Sequence, residues 1–149
     1  MGVRERRVRE KDDLRRTILD AARRLFAEEG YESFSMRKLA GKIEYSPTTI
    51  YGYFKDKADL LENVCQESFV KLVERLGKIK ATAEDPLDFA RKGMRAYVEF
   101  GLEFPNHYRA TFMTSHCEIV EEQYQKSMGE AAFNYLRKSV QECIDVGLV

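Results

Sequence analysis

The sequence predicts an all-α protein, and three observations carry that prediction. Apolar residues recur at three- and four-residue steps through nearly the whole chain, and no stretch alternates apolar and polar residues long enough to make a strand. Helix punctuation stands at the joints: Gly30 as a stop, Ser35 as a cap, Ser46-Pro47 and Asp85-Pro86 as starts. With 149 residues, 44% of them hydrophobic, the chain can close a genuine core.

The first eleven residues, MGVRERRVREK, are charged at most positions and have little to bury, so residues 1–11 are expected to form a mobile basic arm, with or without a role in tracking phosphates. A first helix is predicted from about Asp12 to Glu29, with Leu14, Ile18, Ala21, Ala22, Leu25 and Phe26 on one stripe and Gly30 ending it. Ser35 then caps a two-turn helix, Met36 to Ile43. After Glu44-Tyr45, Ser46 caps a second short helix with Pro47 at its first position. A long helix follows from Asp56 or Lys57 to about Lys80, and Asp85-Pro86 opens another that Pro105 ends. A short helix over His107 to Met113 and a last one over about Glu118 to Val146 complete the order.

Charge is informative only in its distribution. The net charge is zero, yet residues 1–60 carry fourteen Lys/Arg against eleven Asp/Glu, while the remainder reverses that balance. The N-terminal part is therefore the end suited to a polyanion, although a solvated helix face would give the same excess. No apolar run reaches the roughly 20 residues that span a bilayer, and the Arg-rich start lacks a signal peptide's apolar stretch, so a soluble cytoplasmic protein without a membrane partner is expected. Cys65, Cys117 and Cys143 have none of the paired short spacings of zinc or disulfide sites. His107, His116 and Cys117 share a stretch, but that grouping is more often incidental, and neither a metal nor a cofactor is expected. Neither histidine stands beside a plausible nucleophile and no glycine-rich phosphate loop is present, which argues against an enzyme.

The two short helices across a tight turn have the makings of a helix-turn-helix. That motif needs a small residue where its helices pack, a sharp turn, and a second helix whose first residues reach base edges. Ala40, Glu44-Tyr45 and Ser46 through Tyr51 meet those needs in order, with Leu39, Ile43 and Ile50 placed to hold the pair against the first helix. Thr48 and Thr49 offer hydroxyls to bases and methyls to thymine; Ser46 and Pro47 sit at a helix start, which favours phosphate. Tyr51 and Tyr53 carry phenols suited to phosphate oxygens, with burial under the motif as the alternative for Tyr51; Lys57 is a further phosphate partner, and Arg37 is the cation placed to reach the groove. Phe54 reads as core.

Residues 14–61 resemble the TetR (tetracycline-repressor) family. The likeness is carried by ILDAARRLFAEEGYESFSMRKLAGKI and by SPTTIYGYFKDKADLL, which occur together at the family's spacing. The resemblance implies a three-helix DNA-binding domain over residues 12–56 and a helical regulatory and dimerisation domain over residues 57–149, and makes the matched positions, Ser46 to Thr49, Tyr51, Tyr53 and Lys57, the DNA contacts. Glu44 departs from the pattern, because that turn position is most often glycine and a residue with a Cβ must take up left-handed geometry there at a cost on the order of 1 kcal/mol.

The same resemblance implies a homodimer on double-stranded operator DNA, most simply a repressor released by a small apolar or aromatic effector. Met94, Tyr97, Phe100, Tyr108 and Phe112 are the candidate effector-lining residues, with plain core as the alternative, and FGLEFPNHYRATF is similar to one regulatory-domain subgroup. Family members continue with a further helix or two, so this regulatory domain is expected to be shortened at its C-terminus. A helical protein-interaction adaptor without DNA readout is the competing function.

Overall fold

The computed structural model describes residues 2–112 and 128–149. Among them it forms seven helices and no strand: α1 (Val3–Ser33), α2 (Met36–Ile43), α3 (Pro47–Tyr51), α4 (Lys57–Thr82), α5 (Pro86–Glu103), α6 (Pro105–Phe112) and α7 (Met128–Asp145). Met113, His116, Cys117, Val120 and Tyr124, which the sequence placed at the end of one helix, in a histidine-cysteine grouping and along the last helix, lie outside the described residues, as does the side chain of Phe112. No described helix is long and apolar enough to cross a membrane.

The chain divides into two compact units, Met1–Val64 and Cys65–Val149, and the division falls two turns into α4. In the first unit α1 packs on α2 and α2 on α3. Ile18, Leu19, Ala22, Leu25 and Phe26 of α1 meet Leu39, Ala40, Ile50, Phe54, Leu60 and Leu61 in a buried core. Gly30 does stop the first long run, with φ 75° and ψ −177° between two helical stretches, and Tyr31–Ser33 add only a turn.

Helix α1 begins at Val3, so residues 3–11 are helical where a mobile arm was expected. Those residues bury nothing, and their helicity has a local cause. Arg, Glu and Lys are good helix formers, Glu5 accepts from the Gly2 amide at 2.9 Å, and Arg6 pairs with Glu10 at 3.5 Å. Most decisively, the packed segment beyond Leu14 has already met the cost of nucleation, so each added residue only propagates the helix.

The caps fall where the sequence put them. Ser35 Oγ accepts from Lys38 N at 3.1 Å, and Ser46 Oγ from Thr49 N at 3.2 Å. At the head of α4 the capping is reciprocal: Asp56 accepts from Asp59 N, and Asp59 from Lys55 N, both at 2.8 Å. Glu44 takes the left-handed conformation, φ 58° and ψ 35°, and it is the one non-glycine residue described with positive φ. Replacing Glu44 with glycine should therefore raise stability by up to about 1 kcal/mol, read as a higher denaturant midpoint at unchanged slope. A loss would mean that the Glu44 side chain contributes more than its backbone strain costs.

In the second unit, Phe69, Leu72 and Leu76 of α4, Ala96 and Phe100 of α5, and Ala132 of α7 form the core. At Gly93 the helices are in ordinary packing contact, since a Cβ there would stand 3.4 Å from Leu136 Cδ2 and 3.6 Å from Leu76 Cδ2. Ion pairs Arg75–Glu99 and Lys80–Glu142 join neighbouring helices, but both are about half exposed and contribute under about 1 kcal/mol each. Met94, Val98 and Leu102 on α5, and Phe133, Val140 and Ile144 on α7, leave apolar side chains exposed.

Candidate nucleic-acid interface

The first unit presents α2 and α3 on a framework fixed by buried side chains. Leu39, Ile50 and Phe54 are at most 2% exposed and hold the motif from beneath. Arg15 of α1 donates to Asn63 of α4 at 3.2 Å while its guanidinium lies 5.1 Å from the Phe54 ring centre, so one side chain ties α1, the aromatic anchor and α4 together. Lys38 donates to Glu29 at 2.9 Å and to the Ser33 carbonyl at 3.0 Å, which secures α2 to the end of α1. Its neighbour Arg37 is exposed.

The turn between α2 and α3 closes through Tyr45 N, which donates to Ala40 O at 3.1 Å. Helix α3 is one turn and a half, stiffened at both ends. Ser46 and Thr49 hydroxyls share a hydrogen bond at 3.0 Å in addition to the amide cap, and the Gly52 amide donates to Thr48 and Thr49 carbonyls. A Cβ on Gly52 would come within 3.2 Å of the Thr49 carbonyl oxygen, so this position is tight. Phe54 N then donates to Ile50 O at 3.0 Å, leading the chain down to its buried anchor.

The candidate contact residues are not equivalent. Thr48 is exposed; Thr49 and Pro47 are half-buried, and Thr49 already spends its hydroxyl on Ser46. Tyr51 is 51% exposed, which decides against burial under the motif, whereas Tyr53 is half-buried. Lys57 has its ammonium 4.2 Å from the Tyr31 ring centre, and burial lowers its pKa while Glu32 acts against that shift. A phosphate brought to it would favour its charged form against that desolvation. Sequence reasoning left Tyr45, 47% exposed in the turn, without a role, and did not single out exposed Lys42 and Lys55. Charge near an N-terminal motif was the available signal for the two lysines.

The candidate effector residues lie in the second unit. Phe100 is buried, with its ring 4.6 Å from that of Phe69 and 5.3 Å from that of Phe104. Tyr97 and Tyr108 meet edge to face at 6.4 Å, and Met94 is 48% exposed. His107 is buried edge-on to Phe104 at 5.5 Å.

Residues 18–64 match the family described as bacterial regulatory proteins, tetR family. The fatty acid metabolism regulator protein of Bacillus subtilis is 38% identical over 73 residues, 47% of this chain and 38% of that protein. The HTH-type transcriptional regulator AcrR of Shigella flexneri is 26% identical over 147 residues, 94% of this chain and 68% of its own length. The chain thus spans well under half of the Bacillus relative. Among solved structures, a TetR/AcrR-family regulator from Thermobifida fusca superposes with a TM-score of 0.67 at 23% identity, covering 92% of this chain and 73% of that one. The regulator FadR from Bacillus subtilis, in complex with stearoyl-CoA, gives 0.68 at 22% identity, covering 87% and 70%. These two likenesses establish the fold of the described helices, and the match over residues 18–64 falls on the unit that holds α2 and α3. Residues 18–64 thus match the TetR family of bacterial regulatory proteins, and the described helices share the fold of TetR-family regulators.

Proposed function

We propose that this chain is a cytoplasmic, DNA-binding transcriptional regulator that works as a homodimer and is released from its operator by a small apolar effector. The observation that carries the reading is α3 itself: a short helix, capped by Ser46 and anchored by buried Ile50 and Phe54, that exposes Thr48 and Tyr51. Thr48 reads a base edge, with Thr49 in support. Ser46, Tyr51, Tyr53 and Lys57 hold phosphates, Pro47 fixes the helix start that presents them, and Arg37 on α2 reaches the groove edge. Two such units about 34–36 Å apart would engage half-sites one turn apart, which is what makes a dimer necessary.

The dimer and effector parts rest on the second unit. The exposed row Phe133, Val140 and Ile144 on α7 is a surface a second copy could cover. Tyr97, Tyr108, Phe100, Met94 and Phe112 are the residues whose substitution should alter effector response. FadR's stearoyl-CoA makes long-chain acyl thioesters the first class to screen.

Salt titration of binding to promoter DNA tests the interface. Of the phosphate contacts, about three to five per chain, each one neutralised by a cation such as Lys57 or Arg37 should make log K fall by roughly 0.9 against log salt. A flat response would remove the phosphate assignments and leave a helical adaptor as the better reading.

A further inference from the structure

Helix α1 overhangs the first unit, and its charges are sorted by helical phase. At about 100° per residue, Arg4, Arg7, Lys11 and Arg15 fall within about 40° of one line, which continues the buried face of Ile18. The overhang's acidic residues, Glu5, Glu10, Asp12 and Asp13, all fall about 100° or more from that line. The face that is core beyond Leu14 is therefore basic before it. It also meets the motif, because Arg7, Lys11 and Leu14 line one open groove with Tyr45 of the α2–α3 turn and Tyr53 behind α3. Glu10 and Asp13 stand at the same groove, and Glu10 is engaged by Arg6 at 3.5 Å.

The geometry points to a second DNA-backbone contact: the overhang of α1, through Arg7 and Lys11 with Arg4 beyond them, tracks duplex phosphates flanking the site read by α3, and Tyr45 and Tyr53 supply phenols on the facing side. This inference rests on the DNA-binding reading above and extends it. Arg4 to Lys11 spans about 10 Å of helix, enough for its cations to reach a short run of phosphates on one strand. An unstructured arm would have to be ordered on binding, whereas this one is already helical and carries its cations in register.

The test uses the full chain and duplexes recovered by selection from a random-sequence pool. Arg7→Ala/Lys11→Ala should make the salt slope shallower by about 1.8 per chain, equivalent to roughly 30-fold weaker binding at 0.15 M salt, with sequence preference kept. Arg6→Ala/Arg9→Ala removes the same charge from the opposite face and should leave the slope within about 0.3 of the wild type. Trimming the flanking base pairs should cost the wild type affinity and leave Arg7→Ala/Lys11→Ala unaffected. Equal losses for the two double variants would reduce the effect to net charge and overturn the proposal, as would an unchanged slope for Arg7→Ala/Lys11→Ala. Both faces are exposed, so circular dichroism should show unaltered folding. A wild-type chain that recovers no duplex at all would overturn the DNA-binding reading itself, and this inference with it.

Discussion

Phe54→Ala should destabilise the first unit by about 3–5 kcal/mol, enough to unfold much of it and abolish DNA binding. The ring is 2% exposed, follows directly from α3 through the Phe54–Ile50 backbone bond, and lies beneath the Arg15 guanidinium. Truncation removes the anchor's buried area, leaves a cavity between α1 and the motif, and strips Arg15 of its stacking partner. Phe54→Leu, which retains most of the volume, should recover a large part of the loss. Chemical denaturation followed by circular dichroism measures both. A loss under about 1 kcal/mol for Phe54→Ala would mean that the motif is held by other contacts than those described.

Phe100→Ala should cost the second unit about 3–5 kcal/mol as well. Phe100 is the centre of an aromatic run, packed on Phe69 and Phe104, inside the core that joins α4, α5 and α7. Its sequence-based candidacy for effector binding therefore has to be tested on a background of lost packing. Comparing thermal unfolding with and without an acyl-CoA separates the two, since a bound effector raises the midpoint in proportion to its excess over Kd. If Phe100→Ala leaves the midpoint unchanged, the core assigned to this unit is wrong; a lowered midpoint with an undiminished ligand shift would exclude Phe100 from the effector site.

What was legible in the sequence follows from physics that acts locally. Ser35, Ser46-Pro47 and Asp85-Pro86 each fix a helix start through a side chain bonding an amide three residues on, and all three starts stand as read. Of the predicted stripe on α1, Ile18, Ala22, Leu25 and Phe26 are buried for the same reason, while Leu14 and Ala21 are half-buried and buried Leu19 was missed. The start of α1 was not legible, because a highly charged segment reads as an arm when considered alone and becomes helical as the continuation of a packed neighbour. Nor could periodicity rank Thr48 above Thr49. That ranking depends on the Ser46–Thr49 hydroxyl bond and on exposure, which are properties of the folded turn.

The most direct test of sequence reading by α3 compares wild-type, Thr48→Ala and Lys57→Ala chains on a selected duplex and on a scrambled duplex of equal length. The wild type should prefer the selected duplex; Thr48→Ala should narrow that preference by about 1–3 kcal/mol, and Lys57→Ala should weaken both complexes alike and make the salt slope shallower by about 0.9. Equal wild-type affinity for the two duplexes, or a preference that survives Thr48→Ala intact, would contradict base readout by this helix.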